Sequence, residues 1–316
     1  MVTRVIIATH RGFCAGVERA VETVERALEI YGPPVYVRKQ IVHNTHVVRD
    51  LEARGAIFVE STSDVPREGR LILAAHGVAL EVYREAGDRE VATIDATCPL
   101  VTKVHVQVRR FADAGYCVIL VGHAGHDEVV GTTGQAPGAV VLVETLEQAR
   151  VVEVPDPERV AYVTQTTLSV DETAQILAKL RERFPAIVGP RKEDICYATT
   201  NRQLAVKELL SEIDVLLVIG SANSSNSTRL VETARTAGVA AHMIEDESEI
   251  DETWLESAGT VGLTSGASVP ETLLAGVCKW FEARGVAEIA PFAARTEDIV
   301  FKLPAEVIRV PVQTTT

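Results

Sequence analysis

Short apolar runs alternate along the chain with longer segments in which apolar residues recur at helical spacing. The runs VYVR, CVILV and VLLVI are rich in branched side chains and are each followed by polar residues, which is typical of strands that end in a loop. Strands that alternate with helices in this way form parallel sheets. The pattern therefore predicts an α/β protein.

The order of these elements repeats three times, with a period of roughly 90 residues. Each repeat begins with a cysteine at the start of a helix. It continues with a strand that enters a polar loop, a short strand after a glycine, and a strand that ends in a second polar turn. The cysteine segments are GFCAGVERAVETV, ATCPLVTKVHVQV and DICYATTNRQLAV. The repeat predicts three similar small α/β domains with parallel sheets, arranged around a pseudo-threefold axis with the site at its centre.

The predicted domains are residues 1–96, 97–193 and 194–285, followed by a C-terminal tail, 286–316, that carries no motif. The first polar turn follows its cysteine at a nearly constant distance: His43 after Cys14, His126 after Cys98, and Asn226 after Cys196. The second polar turns contain His76, Thr166 and Ser268. Because ligands of open α/β sheets bind at the carboxyl ends of the strands, we expect three thiols to meet there, surrounded by these turns.

Three cysteines that each begin a helix are suited to a metal centre, because helix N-termini favour the negative charge of bound thiolates. Zinc would take three cysteines with a histidine or a water. A [4Fe–4S] cluster normally takes four cysteines, so three would leave one iron open to substrate. Cys117 lies inside a strand and Cys278 on an apolar helix, and both are interpreted as core residues.

Charge and composition narrow the possible functions. The net charge of −13, without a basic stripe, argues against nucleic-acid binding. Five widely spaced cysteines and no membrane-spanning apolar run predict a cytoplasmic protein without a membrane partner. The chain has neither a P-loop nor a GxGxxG motif, so an anionic substrate would be bound by His, Ser, Thr, Asn and helix N-termini.

The motifs of this chain resemble those of the 4-hydroxy-3-methylbut-2-enyl diphosphate reductase family. The resemblance extends from Cys14 to about Pro270. Its nine motifs, in order, are GFCAGV, VHNTHVV, AAHGV, DATCPLVTKVH, GHAGHDEVVGTTGQ, TQTTLS, DICYATTNRQ, GSANSSNSTRL and SGASVPE. One departure is Asp127, where the family pattern GHxxHPE has proline; the glutamate, Glu128, is present.

The resemblance implies the last reaction of the non-mevalonate isoprenoid pathway. Two electrons and two protons remove the allylic hydroxyl of the substrate, which yields isopentenyl and dimethylallyl diphosphate. The family also implies a [4Fe–4S] cluster held by Cys14, Cys98 and Cys196 with one open iron, and a ferredoxin or flavodoxin type of electron donor. We expect a monomer or a weak homodimer.

The same resemblance implies the roles of the polar residues. Glu128 would supply protons, Thr166 would relay a proton or orient the hydroxyl, and His126 would assist them. Thr167 would point the other way on an extended strand and is the weaker choice. The predicted substrate-binding residues are His43, His76, His126, Thr166, Ser224, Ser225, Asn226 and Ser268. The remaining histidines, 10, 46, 105, 123 and 242, are interpreted as structural or surface residues.

Two other functions remain open from the residues. A zinc hydrolase could use His123, His126 and Glu128 as an H-x-x-H type of site, which would leave the three equivalent cysteines unexplained. An iron–sulfur redox sensor would explain the cysteines and leave the anion-binding turns unexplained.

Overall fold

The protein is described here by a computed structural model that covers residues 2–293 and 297–308. The described residues form three parallel sheets and two compact units. We name these the five-stranded unit and the two-sheet unit. Parts of the predicted C-terminal tail, residues 294–296 and 309–316, lie outside the described residues.

The five-stranded unit comprises the described residues of segments 1–15, 43–47 and 197–300. Its strands, in chain order, are β1 (Arg4–Ile7), β9 (Val215–Ile219), β10 (Ala240–Ile244), β11 (Thr260–Ser265) and β12 (Glu288–Pro291). Their order in the sheet is β10-β9-β11-β1-β12, and every neighbouring pair is parallel. Its helices are α8 (Tyr197–Leu209), α9 (Ser225–Thr236) and α10 (Glu271–Glu282).

Strand β9 shows why this sheet forms. All five of its residues are buried, and successive side chains point to opposite faces of the sheet. Leu217 belongs to a core cluster that contains Phe281 of α10, whereas Leu216 belongs to a second cluster that contains Leu230 of α9. A strand with apolar cores on both faces needs a continuous apolar run, which is what the sequence VLLVI provides.

The two-sheet unit comprises the described residues of segments 16–42, 48–196 and 301–316. One sheet has the order β3-β2-β4-β5 and the other β7-β6-β8, again with parallel pairs. The strands are β2 (Val35–Arg38), β3 (Ala56–Val59), β4 (Arg70–Leu73), β5 (Ala92–Asp95), β6 (Cys117–Val121), β7 (Val140–Val143) and β8 (Val160–Thr164). The helices are α1 (Ala15–Tyr31), α3 (Leu80–Asp88), α4 (Pro99–Asp113), α5 (Asp127–Thr133), α6 (Leu146–Val151), α7 (Val170–Arg183) and α11 (Ala305–Ile308).

A further helix, α2 (Thr45–Ala53), begins in the five-stranded unit and continues, after Val47, in the two-sheet unit.

Strand β6 organises the core of the three-stranded sheet in the same manner as β9. Ile119 faces a cluster that contains Leu180 of α7, and Leu120 faces a cluster that contains Val104 of α4.

The α/β class and the three parallel sheets are confirmed. Segments 1–96, 97–193 and 194–285 each supply one sheet, with one exchange. Strand β1, from the first segment, pairs with β11 and with β12, and β12 lies in the segment predicted as a tail. The domain limits stay a prediction.

Because β1 pairs with β11, all three cysteines follow the same kind of extended segment, although the order of the repeats along the chain does not show this. Strand β5 lies beside β4 and leads to Cys98, and strand β1 lies beside β11 and leads to Cys14. Val188 forms a parallel bridge beside β8 and precedes Cys196. Each cysteine therefore follows a short extended segment that pairs with the strand of a polar turn.

Candidate active site

Each of the three cysteines is hydrogen-bonded through its backbone to one of the polar turns at the strand ends. Cys14 N donates to the Ala267 carbonyl at 3.2 Å, Cys98 N to the Ala75 carbonyl at 3.0 Å, and Cys196 N to the Thr166 carbonyl at 3.0 Å. The sequence repeat grouped Cys14 with the turn at His76, but the hydrogen bonds join that turn to Cys98. The reason is that β1, which leads to Cys14, pairs with β11 of the third repeat. Cys98 and Cys196 each lie beside the second polar turn of the preceding repeat, and Cys14 lies beside that of the third repeat.

Glu128 lies in the first turn of α5 and is almost completely buried, with 2% of its surface exposed. Its carboxylate accepts two hydrogen bonds from Thr166: the backbone N donates to Oε1 at 2.7 Å and the hydroxyl Oγ1 to Oε2 at 2.9 Å. Burial raises the pKa of Glu128 to about 7, although both hydrogen bonds from Thr166 oppose this shift. The nearby charge of Asp194 raises the same pKa further. Glu128 can therefore hold and release a proton near neutral pH.

Asp127 precedes Glu128 and has a different partner. Its carboxylate forms an ion pair with the Lys39 ammonium group and is mostly shielded from solvent. Lys39 has a left-handed backbone with φ of 56° and is the first residue after β2. The two adjacent carboxylates are thus directed to separate partners, and an aspartate in place of the family's proline leaves Glu128 bound to Thr166.

His126 is the N-cap residue of α5, and its Nδ1 accepts a hydrogen bond from Glu128 N at 3.1 Å. In the neutral ring the donor proton therefore lies on Nε2. The His76 ring meets the His126 ring edge to face, with centroids 5.9 Å apart. Gly77 allows this turn to form: its φ is +73°, and an added Cβ would lie 2.5 Å from Cε1 of His105.

In the five-stranded unit, the predicted residues His43 and Ser268 are joined directly. Ser268 Oγ donates to the His43 carbonyl at 2.8 Å, and the His43 ring nitrogen Nδ1 lies 3.4 Å from Asn223 Nδ2. Asn226 joins the same turn, because its Oδ1 accepts a hydrogen bond from Ala267 N at 2.9 Å. Asn223 and Asn226 follow β9 and Ser268 follows β11, whereas His43 lies in the loop after β2, as the sequence predicted.

Helix α9 begins within the motif GSANSSNSTRL, which contains three of the predicted substrate-binding residues. Ser224 is its N-cap, with its hydroxyl accepting from Ser227 N, and Ser225 is its first residue. Two glycines permit the close approach of this turn to the strand ends: a Cβ on Gly220 would lie 2.2 Å from Ser227 Oγ, and one on Gly266 would lie 2.1 Å from it. The segment is an ordered, largely buried helix start, which argues against the flexible linker suggested by its composition.

The loop of Cys14 is held by residues that sequence reasoning missed. Gly12 N donates to Ser265 Oγ at 2.9 Å, and the guanidinium of Arg202 donates to the Gly12 carbonyl at 2.7 Å. Arg202 is completely buried and also contacts the carboxylate of Glu297, at 3.4 Å. Arg202 lies within the motif DICYATTNRQ, but a single sequence does not show whether an arginine on a helix is buried or exposed.

The cysteines are all half-buried thiols. Cys14, Cys98 and Cys196 each stand immediately before the first residue of a helix, as the repeat predicted. Burial raises the pKa of Cys117 and of Cys278, so these two thiols stay protonated at neutral pH. Cys278 also packs against the core of the five-stranded unit, in keeping with its interpretation as a core residue.

The remaining histidines have structural contacts. His105 is buried, and burial together with the charge of Arg109 lowers its pKa to about 4. His242 stacks on Trp254 with centroids 4.0 Å apart, and His46 lies 3.1 Å from Asp246. His123 N donates to the side chain of Gln165 at 3.1 Å.

The geometry bears on the zinc alternative. Within residues 2–293 and 297–308, no three His, Cys, Asp or Glu side chains form a group that could hold one metal ion. Glu128 turns its carboxylate to Thr166, and His126 uses Nδ1 to cap α5. His123, His126 and Glu128 therefore do not form the H-x-x-H type of zinc site among the described residues.

Taken together, these features define an α/β enzyme with parallel sheets, whose polar turns and cysteines lie at strand ends and helix starts. The protein-family model described as LytB protein matches residues 5–282. This chain belongs to the LytB family. It is an oxidoreductase, as the sequence predicted.

Curated relatives extend over nearly the whole chain. The 4-hydroxy-3-methylbut-2-enyl diphosphate reductase of Acidothermus cellulolyticus is 58% identical over 307 residues, which are 97% of this chain and 90% of that protein. The enzyme of the same name from Streptomyces coelicolor is 53% identical over 307 residues, 97% of this chain and 91% of that protein.

A solved structure supports the same relationship. The E-1-hydroxy-2-methyl-but-2-enyl-4-diphosphate reductase from Plasmodium falciparum superposes with a TM-score of 0.92 at 38% identity, covering 97% of both chains. Among the described residues of the present chain, no helix is long and apolar enough to cross a membrane.

Proposed function

We propose that this chain is a reductase of isoprenoid biosynthesis that acts on 4-hydroxy-3-methylbut-2-enyl diphosphate. The substrate loses its allylic hydroxyl as water, and two electrons and two protons yield isopentenyl or dimethylallyl diphosphate. This would be the last step of the non-mevalonate pathway, in the cytoplasm. The observation that carries the proposal is the continuous chain of contacts from Cys196 through Thr166 to Glu128.

The donor set fits an iron–sulfur cluster with three protein ligands. Cys14, Cys98 and Cys196 are half-buried thiols at helix starts, each anchored by its backbone to a polar turn. Each thiolate of such a cluster binds its own iron, so the ligands need not meet at one atom as they do around zinc. When bound, a [4Fe–4S] cluster with one open iron would supply the electrons and a Lewis-acidic position.

The protein's own acid is Glu128. Its pKa of about 7 keeps a substantial protonated fraction at neutral pH, and a carboxylic acid can protonate a departing hydroxyl. Thr166 contacts both carboxylate oxygens and can pass a proton through its hydroxyl, which is both donor and acceptor. The adjacent His126 ring, with its proton on Nε2, is suited to donate to an anionic oxygen.

The diphosphate would be bound by neutral donors and imidazoles. Ser224, Ser225 and Asn226 lie at the start of α9, a helix of 12 residues whose N-terminal dipole favours an anion. His43 and Ser268 are hydrogen-bonded beside them, and His76 and His126 form the corresponding pair in the two-sheet unit. A chain of net charge −13 can thus bind an anion without a cluster of lysines.

The test is turnover by protein purified without oxygen. It should contain iron and sulfide, be brown, and convert the substrate to the two diphosphate products with a chemical reductant. Colourless protein with zinc and no reductase activity would overturn the proposal in favour of a hydrolase. Protein with a cluster, but without turnover or diphosphate binding, would favour the redox sensor.

A further inference from the structure

A cavity of about 290 Å³ outside the candidate active site is lined by positive charge. We name it the basic cavity; its lining includes Lys103, Gln107, Arg110, Phe111, Arg191 and Lys192. Four of these six side chains are cations, in a protein whose net charge is −13. Such a local reversal of sign creates a positive field that attracts and orients an acidic partner, while the rest of the surface repels it.

Three of the cations are available to a partner. Arg110, Arg191 and Lys192 are exposed, whereas Phe111 is half-buried and lies below the Arg110 guanidinium at 6.0 Å from its ring centroid. An aromatic ring at the base of a cationic surface provides apolar contact area in addition to charge. This combination of residues suits a protein surface with clustered carboxylates.

The basic cavity is built on the segments that carry two of the three proposed cluster ligands. Lys103 stands one and a half helical turns after Cys98, about 8 Å along the axis of α4. Its ammonium group donates to the carbonyls of Lys192 at 2.9 Å and Glu193 at 2.8 Å, and pairs with Asp194 at 3.0 Å. Lys192 and Asp194 in turn lie just before Cys196 in the chain.

We propose that the basic cavity is the docking surface for the acidic one-electron carrier protein that reduces this enzyme. The proposal rests on the proposed function, because only a reductase with a cluster at Cys98 and Cys196 needs such a carrier here. The carrier would be oxidised in two successive encounters, each delivering one electron. The two protons come from the site at Glu128 and from solvent.

The test reverses the three exposed charges in one variant, Arg110→Glu, Arg191→Glu and Lys192→Glu, in the cluster-loaded enzyme. Lys103 is left unchanged because it pairs with the buried Asp194. With a reduced, acidic flavodoxin as donor, the KM for the flavodoxin should rise about tenfold or more, and its salt dependence should be lost. With methyl viologen reduced by dithionite, turnover should be unchanged.

The matched control reverses three exposed arginines outside the basic cavity: Arg49→Glu, Arg67→Glu and Arg84→Glu. It changes the net charge by the same amount, so an equal rise in the KM for flavodoxin would show a general charge effect and overturn the proposal. Unchanged flavodoxin kinetics in the cavity variant would overturn it as well, as would equal losses with flavodoxin and methyl viologen.

Direct binding separates this proposal from the proposed function. Calorimetric titration of the enzyme with flavodoxin should show binding to wild type and to the control but not to the cavity variant. That result would support docking even if no reductase turnover were found, whereas absent turnover with methyl viologen counts against the proposed function alone. Binding of inorganic diphosphate to the basic cavity, with flavodoxin binding unaffected by the variant, would identify a small-anion site instead and overturn the docking proposal.

Discussion

Thr166 binds both oxygens of the buried Glu128 carboxylate, one through its backbone N–H at 2.7 Å and the other through its hydroxyl at 2.9 Å. Because the carbonyl of the same threonine accepts a hydrogen bond from Cys196 N, one residue fixes both a proposed acid and a proposed cluster ligand. A substitution such as Thr166→Val removes the hydroxyl and keeps the backbone N–H and carbonyl that make the other two bonds. The effect of the Thr166 hydroxyl on Glu128 can therefore be measured while the backbone hydrogen bonds of the turn stay in place.

Replacing Glu128 by glutamine should keep the cluster and diphosphate binding, because neither depends on this carboxyl. Turnover should fall by about 10²–10⁴, since an amide cannot donate an acidic proton. Single-turnover assays with cluster-loaded enzyme would measure this.

Asp127→Asn is the control, and it should have little effect because Asp127 is directed to Lys39. The double variant Glu128→Gln with Asp127→Asn would reveal any rescue by the neighbouring carboxylate. Near-normal turnover in the double variant would exclude both carboxylates as the proton source and leave Thr166 or His126 to be tested.

Glu128 should also make stability depend on pH. Its pKa rises from 4.5 to about 7 on folding, so the stabilisation of the folded state by the bound proton is fully present below pH 4.5 and is lost as pH rises through about 7. Glu128→Gln has no such dependence. Urea unfolding should therefore show the variant gaining about 3 kcal/mol on wild type between pH 4.5 and pH 8. An equal difference between the two proteins at both pH values would contradict the raised pKa.

Thr166→Val should change the pH profile rather than only the rate. The lost hydroxyl stabilised the charged carboxylate, so the pKa of Glu128 should rise further. Turnover should fall while the alkaline limb of the profile moves to higher pH.

Thr167→Val is the matched control for this substitution. Its hydroxyl accepts a hydrogen bond from the side chain of Gln165, so its variant should keep the wild-type profile. The same shift in both variants would assign the effect to general disturbance of the turn.

The cysteines should separate into two groups. Cys14→Ser, Cys98→Ser and Cys196→Ser should each lose iron, sulfide and activity, because each removes a proposed ligand. Cys117→Ser and Cys278→Ala should retain all three properties, with modest losses of stability. Loss of the cluster in Cys117→Ser, with retention in any of the first three, would refute the assignment.

Arg202→Met should damage the loop of Cys14 from a distance. It removes the donors that hold the carbonyls of Arg11 and Gly12 and leaves Glu297 without this cation, which should lower stability by about 3–5 kcal/mol. Iron content should fall with it. Glu297→Gln keeps the backbone contacts of Arg202 and should cost less in both measurements; full iron content in Arg202→Met would show that the loop does not need this arginine.

Local patterns in the sequence predicted the elements well. The helices after Cys14, Cys98 and Cys196 and the buried strands VLLVI and CVILV all occur where apolar spacing placed them, because burial imposes that spacing residue by residue. Apolar spacing within a strand does not show which distant strand it pairs with. The partnership of β1 with β11 and β12 was therefore missed, and with it the true partner turn of each cysteine.

The contacts that depend on tertiary structure were also missed. Asp194 affects Glu128 through space, and Lys39 meets Asp127 across 88 positions of sequence. The roles of Glu128 and Thr166 were implied by the family resemblance, but the sequence did not predict the two hydrogen bonds that join them.

The place of β1 in its sheet has a consequence for biosynthesis. Arg4 pairs with Thr260 and with Glu288, so β1 leaves the ribosome before its partner strands, which are made more than 250 residues later. At ordinary translation speeds this delay is roughly 10–50 s. Ser265 and Ala267, which hold the loop of Cys14, arrive about as late, and Arg202 arrives 190 residues after Gly12. A nascent chain therefore carries an unsupported Cys14 thiol until β11 and the turn after it have been made, and a metal centre that uses Cys14 can be completed only after that point.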